Sequence, residues 1–410
     1  MRKTNRRYAY QQRDEMYAER LGLLPPYLFI QIDRKVKELR EKGVDVINLG
    51  VGDPDRPTPA HIIKAMKDAL NEPRYHQYPF GAGLKEFRQA VARWYERRFA
   101  VKLDPETEVH ALIGSKEGLA HLPLAFVNPG DTVLIPEPAY PVYKASTIFA
   151  GGKPYFLPLK EENNFLPDFA KVPEKILKKA KLLFLNYPNN PTSACADSNF
   201  FHGVVKLAKK YHIIVAHDAA YSEIYFPVPR NLQGSEESEP PLSFLSIPGA
   251  KNVGIEFHSL SKTYNMTGWR IGFVVGNKKI IHGLATVKDN FDSGVFSAVQ
   301  AAAVTALTGL QDCVEEIRRT YRERRDIFVD GLQRLGWSLK KPEATFYVWA
   351  KVQKGYTSLQ CVEKLLNEAG IICTPGNGMG PSGEGYIRFS LTVEKECLEE
   401  ALNRLAKVKW

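Results

Sequence analysis

The segment SLSKTYNMTGWRIG, Ser259–Gly272, follows the apolar run Val253–Phe257 and leads into a second apolar run. Lys262 lies among serines and small turn-forming residues, and Arg270 follows it eight positions later. One cation therefore stands at the end of a predicted buried strand, and another stands near the start of the next. This placement indicates that both cations face one site at the edge of a sheet.

The middle of the chain repeats one pattern, in which an apolar strand is followed by a polar or glycine-rich turn. Helical stretches such as SNFFHGVVKLAKKYH separate several of these strands. The strands end in GSKEG, PAYPVY, NYPNNPT, HDAAY and HSLSK. Short, continuously apolar strands that alternate with helices predict an α/β fold with a parallel sheet covered on both faces. Ligands of such sheets bind at the carboxyl ends of the strands, so the polar residues there predict one common site.

The sequence changes character near residue 300, where long helical segments precede the alternating strands TFYVWAKV and GYIRFSLTV. These patterns predict a second, smaller α/β domain, which the segment before residue 66 joins. The predicted division is a basic N-terminal arm (1–20), the N-terminal part of the small domain (21–65), a large domain (66–298) and the C-terminal small domain (299–410).

Composition argues against several classes of protein. The chain has 410 residues, of which 44% are hydrophobic and 25% charged, and no run of about 18 apolar residues that would span a membrane. Its net charge is +10, with Arg2, Lys3, Arg6 and Arg7 clustered at the start. No nucleic-acid recognition motif accompanies this charge, so neither nucleic acid nor a membrane is an expected partner.

The spacing of the cysteines and histidines bears on two further questions, whether the protein binds a metal and in which compartment it resides. The five cysteines form no CxxC pair, and the nine histidines form no HExxH motif. These patterns predict that there is no metal site and that the protein resides in a reducing compartment, the cytoplasm.

The residues at the strand ends match the needs of pyridoxal phosphate. A lysine amine forms a Schiff base with this cofactor, and a carboxylate keeps its pyridine nitrogen protonated. An aromatic ring stacks on its face, while a helix N-terminus and an arginine neutralise its phosphate. The set comprises Ser115, Lys116, Tyr140, Asn190, Asp218, Tyr221, Ser259, Lys262 and Arg270.

SLSKTYNMTGWRIG fits the cofactor-attachment pattern of the class I and II aminotransferases throughout, and the other strand-end motifs occur in the order of that family. The chain resembles this family over essentially all residues after the first 20. The resemblance implies fold type I, in which a large domain with a mostly parallel seven-stranded sheet joins a smaller α/β domain. More narrowly, LPPYLFIQID, LGVGDPDRPTPAHI, HQYPFGAGLKEFR, GSKEGLAH and LNYPNNPT look like the LL-diaminopimelate aminotransferase group.

The resemblance also implies a role for each cofactor-binding residue. Lys262 would carry the cofactor and shuttle the substrate proton, and Asp218 would pair with the pyridinium nitrogen. Tyr221 and Asn190 would hydrogen-bond the phenolic oxygen, and Tyr140 would stack on the ring. The phosphate would be bound by Ser115, Lys116, Ser259 and Arg270, together with Tyr78 of the neighbouring subunit. A homodimer with shared active sites follows, because Tyr78 would act across the subunit boundary.

Three further residues would contact the substrate. The resemblance implies that Arg388 holds the α-carboxylate, that Gly52 lets the backbone approach it, and that Tyr27 lines the pocket. Residue patterns alone leave other roles open. Asp218 could cap a helix and Arg388 could lie exposed on an edge strand. Tyr27, Gly52 and Tyr140 could serve packing.

The implied reaction is transamination between an amino acid and a 2-oxo acid, and the narrower resemblance implies LL-diaminopimelate as the product of a step toward lysine. Other aminotransferases, for aspartate, alanine or aromatic amino acids, and carbon–sulfur β-lyases share the fold and the lysine. Aminotransferase-like transcription regulators also share them, but these carry an added N-terminal DNA-binding module.

One residue departs from the family pattern. Ser193 in NPTSAC occupies a position where the family usually has glycine. A positive φ there would strain the serine by about 1 kcal/mol or more.

Overall fold

The computed structural model describes residues 16–227 and 239–410. The strands within these residues are β1 (Ile47–Asn48), β2 (Val109–Leu112), β3 (Thr132–Glu137), β4 (Lys153–Pro158), β5 (Ala180–Asn186), β6 (Ile214–Asp218), β7 (Gly254–Ser259), β8 (Gly272–Gly276), β9 (Tyr347–Lys351), β10 (Ile371–Ile372), β11 (Thr374–Pro375) and β12 (Tyr386–Ser390). The α-helices are α1 (Leu28–Glu41), α2 (Ala60–Ala69), α3 (Lys85–Phe99), α4 (Ser115–Phe126), α5 (Val142–Phe149), α6 (Glu174–Leu177), α7 (Ser198–Tyr211), α8 (Leu260–Thr263), α9 (Lys278–Phe291), α10 (Ser297–Thr308), α11 (Asp312–Arg334), α12 (Ser358–Ala369) and α13 (Lys395–Leu405).

Seven strands form one sheet in the order β2-β8-β7-β6-β5-β3-β4. β8 runs antiparallel to both of its neighbours, and the other strand pairs are parallel. Because β8 is reversed, its first residues lie at the same edge of the sheet as the last residues of β7. The predicted α/β class with a mostly parallel seven-stranded sheet is confirmed.

Alternating side chains along the strands explain why helices cover both faces of this sheet. In β3, Leu134 packs in one hydrophobic cluster with α3, α7 and α10, whereas Val133 and Ile135 pack in another with α4, α5 and α9. The strands are therefore buried on both sides, which fits their continuous apolar sequences. Local sequence also sets helix ends, since the Asp197 carboxylate caps α7 by accepting a hydrogen bond from the Phe200 backbone N–H.

The remaining strands form two small sheets next to the large one. β12 is the middle strand of the sheet β11-β12-β9, and β1 pairs in parallel with β10. A separate hydrophobic cluster joins Leu49, Phe346, Phe389 and residues of α11, α12 and α13. Residues 47–49 thus pack with the C-terminal part, whereas α2 and α10 pack against the large sheet. The domain boundaries given above stay a prediction.

The predicted basic arm, residues 1–20, lies outside the described residues except for residues 16–20. Within residues 16–227 and 239–410, no helix combines the length and the apolar character needed to cross a bilayer.

Candidate active site

The carboxyl ends of β5, β6 and β7 bring most of the predicted site residues to one edge of the large sheet. Asn186 ends β5 opposite Asp218, which ends β6. The Asn186 side-chain amide donates to the Asp218 backbone oxygen at 2.8 Å, and its carbonyl accepts the Asn190 backbone N–H at 2.8 Å. Asn186 was not among the predicted residues. Its position as the last residue of a buried strand was the available signal.

Lys262 lies on α8, directly after β7, and its Nζ donates to the Gly52 backbone oxygen at 3.1 Å. Burial is the main cause that lowers the pKa of Lys262 to about 8; the positive charges of Arg270 and Arg388 act in the same direction, while the Asp53 carboxylate opposes them. A larger fraction of this amine is therefore neutral near pH 8 than of an ordinary lysine. A neutral amine can act as nucleophile and as base.

Asp218 is buried, with 5% of its surface exposed, and the Tyr143 hydroxyl donates to its Oδ2 at 2.7 Å. Burial raises the pKa of Asp218 and outweighs this hydrogen bond. A buried carboxylate of this kind is stabilised by a cation placed against it. Its side chain does not cap a helix, because a turn rather than a helix follows β6.

Tyr143 was also missed by the sequence analysis. It lies three residues after Tyr140, on α5, and its ring stacks on Phe184 at 4.8 Å between ring centroids. Tyr140 contacts Tyr143 edge-to-face at 6.1 Å. The spacing of two tyrosines on one turn was a signal, but the stack that turns Tyr143 toward Asp218 depends on a residue in β5.

Lys116, Tyr27 and Tyr140 form the rim of the site. The Lys116 ammonium donates to the Tyr27 hydroxyl at 3.1 Å and lies 4.7 Å from the centroid of that ring. It also lies 5.8 Å from the Tyr140 ring. Burial raises the pKa of Tyr140, and a hydrogen bond with Tyr27 contributes. The structure thus gives the Lys116 ammonium two tyrosine neighbours, and its predicted phosphate contact stays a prediction.

The N-terminus of α4 and Arg270 lie side by side. Gly114 precedes Ser115 with φ +71°, and a Cβ at Gly114 would collide with the Arg270 Nη2. Arg270 Nη1 donates to the Thr267 backbone oxygen at 2.9 Å. Ser259 caps α8 by accepting the Ser261 N–H at 3.2 Å. A helix N-terminus beside a guanidinium group is a site for a phosphate.

Ion pairs fix α4 in this position. Glu117 on α4 accepts from the Lys288 ammonium of α9 at 2.7 Å and from the His121 ring at 2.6 Å. Asp292 accepts from the same ammonium at 3.2 Å. The group Glu117, His121 and Asp292 has the spacing of metal ligands. Because Lys288 already supplies a positive charge to both carboxylates, the group acts as a fixed ionic connection between α4 and α9.

Arg388 lies on the central strand β12 with none of its surface exposed, so it is not the exposed edge residue that the sequence left open. Its Nη1 donates to Asn190 Oδ1 at 2.6 Å and its Nη2 donates to the Gly50 backbone oxygen at 2.8 Å. The guanidinium carbon lies 4.2 Å from the Tyr347 ring centroid. The arginine is therefore held in one orientation beside the loop that carries Gly52.

Tyr347, on β9, is a third residue that the sequence analysis missed. Its hydroxyl is hydrogen-bonded to that of Tyr221 at 2.9 Å, and a Cβ at Gly52 would overlap the same hydroxyl. Burial raises the pKa of both tyrosines. Tyr347 thus connects Tyr221, Gly52 and Arg388. Its strand, TFYVWAKV, was recognised, but the face to which Tyr347 points was not.

Tyr78 lies apart from this cluster and is 74% exposed. Its ring stacks on that of Phe80 at 5.5 Å. These contacts connect twelve of the thirteen predicted site residues, whereas Tyr78 lies on the surface.

Comparisons with known proteins give a consistent result. The family described as aminotransferase class I and II matches residues 44–405. The chain is 57% identical to LL-diaminopimelate aminotransferase of Syntrophobacter fumaroxidans over 96% of this chain and 99% of that protein, and equally so to that of Aquifex aeolicus. Among solved structures, substrate-bound BacF from Bacillus subtilis is 40% identical with a TM-score of 0.89, covering 96% of this chain and 97% of that chain.

Proposed function

The chain belongs to the class I and II aminotransferases, and from that premise we propose that it transfers an amino group reversibly from LL-2,6-diaminopimelate to 2-oxoglutarate. In the biosynthetic direction, tetrahydrodipicolinate, glutamate and one water give LL-diaminopimelate and 2-oxoglutarate, a step toward lysine. The observation that carries the proposal is the similarity of nearly the whole chain to relatives named for this activity. Amino acids and 2-oxo acids are the substrates of the family as a whole.

The proposed cofactor is pyridoxal 5′-phosphate, and two features of the site fit it. The Lys262 amine has a pKa lowered to about 8, as a nucleophile for an aldehyde requires. The turn at Gly114 leaves no room for a side chain beside Arg270, so the first N–H groups of α4 and the guanidinium can face the same phosphate. When bound, the cofactor supplies an aldehyde that captures the amino group and a ring that accepts the electron pair of the Cα–H bond.

Each residue has a separate task in this mechanism. Lys262 would bind the cofactor and, once displaced by substrate, take the Cα proton on its Nζ. Asp218 would hold the ring nitrogen in its protonated form, with the Tyr143 hydroxyl fixing the orientation of its carboxylate. Asn190 and Tyr221 would orient the ring through its phenolic oxygen.

Arg388 would bind the α-carboxylate of each substrate in turn through paired hydrogen bonds. The contacts of Nη1 with Asn190 and of Nη2 with Gly50 hold the guanidinium plane before substrate arrives. Because the arginine is pre-oriented, little side-chain entropy is lost on binding. Both the amino acid and the oxo acid carry this carboxylate, so one arginine serves both halves of the reaction.

The test is a coupled assay on purified protein, in which LL-diaminopimelate and 2-oxoglutarate are supplied and glutamate is measured. We expect turnover with this pair to exceed that with aspartate, alanine or an aromatic amino acid by at least about tenfold. Turnover of several common amino acids with none of diaminopimelate would reject the substrate and leave a broader aminotransferase. Elimination of sulfide from a cysteine conjugate would instead indicate a β-lyase.

We also propose a homodimer with shared active sites, because an aromatic patch is exposed next to Tyr78. Phe80, whose ring stacks on that of Tyr78, is 77% exposed, and Phe296, which is 40% exposed, lies 6.3 Å from the His76 ring. Exposed aromatic clusters of this kind mark protein–protein interfaces. In a dimer, the Tyr78 hydroxyl would reach the phosphate of the other subunit.

Sedimentation velocity should give the mass of a dimer for the wild-type chain and for Tyr78→Phe. The variant keeps the ring and loses the hydroxyl, so we expect its cofactor affinity to fall by about fivefold, the effect of one hydrogen bond. A monodisperse monomer with full activity would contradict the proposal. Unchanged cofactor affinity in a dimeric variant would contradict the role of Tyr78.

We propose the cytoplasm as the location. The support is the odd number of cysteines without a CxxC pair, which is typical of proteins in a reducing compartment.

A further inference from the structure

Ser193 and Thr345 both have a left-handed backbone, with φ of +62° and +65°, and both are buried. Side chains other than glycine rarely adopt this conformation, and a β-branched residue such as threonine does so least readily. A positive φ was the condition under which the sequence predicted strain at Ser193, and the structure has it. Two strained residues in contact indicate that the surrounding structure holds them in place.

Their hydroxyl groups close a ring of three hydrogen bonds with β9. The Ser193 hydroxyl donates to the Tyr347 backbone oxygen at 2.9 Å, and the Tyr347 backbone N–H donates to Thr345 Oγ1 at 3.0 Å. Since the Ser193 proton is used in the first bond, the 2.7 Å contact between the two hydroxyls must use the Thr345 proton. Glycine at position 193 would lose the two bonds that the Ser193 hydroxyl makes, to Tyr347 and to Thr345.

The ring joins two of the groups that contact Arg388, Asn190 and Tyr347. Ser193 closes the loop that carries Asn190, since its N–H donates to the Asn189 backbone oxygen at 2.9 Å. Asn190 accepts from Arg388 Nη1 at 2.6 Å. On the other side of the ring, Tyr347 places its aromatic face 4.2 Å from the same guanidinium group. A change at Ser193 would therefore alter the separation of the two groups between which Arg388 lies.

We propose that Ser193 is a positioning residue that sets the orientation of Arg388 for the substrate α-carboxylate. The proposal rests on the proposed function only in taking Arg388 as the carboxylate ligand. Ser193 does not touch the substrate and acts through Asn190 and Tyr347. The serine hydroxyl compensates for its strained backbone by fixing this geometry.

Two variants, Ser193→Gly and Ser193→Ala, separate the effect of losing the hydroxyl from the effect of relieving the backbone strain. Both variants lose the ring, but alanine keeps a Cβ in the left-handed conformation and glycine does not. For the holoenzyme we expect both variants to raise the KM of each substrate by about fivefold, the effect of one buried hydrogen bond, with kcat within about twofold of wild type. The thermal midpoint of the glycine variant should exceed that of the alanine variant.

Binding of glutarate, which carries the carboxylates of 2-oxoglutarate but cannot react, gives a readout independent of turnover. Calorimetry should show about fivefold weaker binding to both variants, whereas Ser198→Ala, which alters a half-buried serine on α7 whose hydroxyl contacts the His202 ring, should bind like wild type. Unchanged KM and unchanged glutarate affinity in Ser193→Gly would overturn the proposal, and this variant should fold even if the alanine variant does not. Should the wild-type chain fail to turn over diaminopimelate, the function would be rejected while the glutarate titration still decides the role of Ser193.

Discussion

Replacement of Lys262 by alanine is expected to lower the rate of amino transfer by about 10⁴-fold, the upper end of the range for a positioned acid or base. The effect should be this large because one amine carries out two tasks, attachment of the cofactor and transfer of the substrate proton. Lys116, the other lysine described at this site, is bonded to the Tyr27 hydroxyl and is not expected to replace Lys262. Steady-state rates measure the loss.

A second measurement identifies the bond itself. Borohydride reduction of the wild-type holoenzyme should leave a modified peptide that contains Lys262, and the alanine variant should yield no such peptide. Because the pKa of Lys262 is lowered to about 8, the neutral amine becomes about tenfold rarer for each pH unit below 8. The rate of cofactor uptake should fall with it. Lys279→Ala, a change at an exposed lysine of α9, should leave the rate of amino transfer and the yield of the modified Lys262 peptide unchanged. Full activity in Lys262→Ala would reject the mechanism.

The sheet could be predicted from the sequence because buried strands need apolar side chains on both faces. The runs that end at Asn186, Asp218 and Ser259 have this character, so their polar terminal residues could be assigned to one edge. The direction of β8 could not be predicted in this way, because an apolar strand has the same composition in either direction. That direction nevertheless matters, since it places Arg270 at the edge where Lys262 lies.

The site residues that could not be identified from the sequence were missed for one common reason. Tyr143, Asn186 and Tyr347 act through contacts with residues distant in sequence, at Asp218 or Arg388. Their types are common in packed cores, and nothing local distinguishes a tyrosine that bonds a carboxylate from one that fills space. Arg388 shows the same limit, because its buried position depends on β9 and β11 lying on both sides of β12.

Ser193 illustrates what a departure from a pattern can and cannot indicate. The sequence raised the question of strain at this position, since glycine is usual there. The compensating hydroxyl ring could not be predicted, because its partners Thr345 and Tyr347 are about 150 residues away in the chain. A residue that looks unfavourable locally can thus be held by bonds that only the fold supplies.

Asp218→Asn is expected to have opposite effects on activity and on stability. The asparagine matches the aspartate in shape but cannot neutralise a protonated ring nitrogen. Removing one partner from a buried charge pair costs about 3–5 kcal/mol, so turnover should fall by roughly 10²–10⁴-fold.

Without cofactor, the same change should raise the thermal midpoint. Burial raises the pKa of Asp218 above its ordinary value of 3.8, so the folded chain holds this proton to higher pH than the unfolded chain does. Stability contributed by the neutral carboxyl is therefore present below pH 3.8 and is lost as pH rises through the folded pKa. At neutral pH the wild-type chain bears the full cost of a buried charge, and asparagine removes it.

Calorimetric midpoints of both chains, with and without cofactor, test this expectation. As a control, Tyr143→Phe should lower activity by about fivefold only, because it removes one hydrogen bond and keeps the charge. A wild-type rate in Asp218→Asn would reject the role of this carboxylate in the reaction. A lower midpoint without cofactor would show that its charge is not buried at an energetic cost.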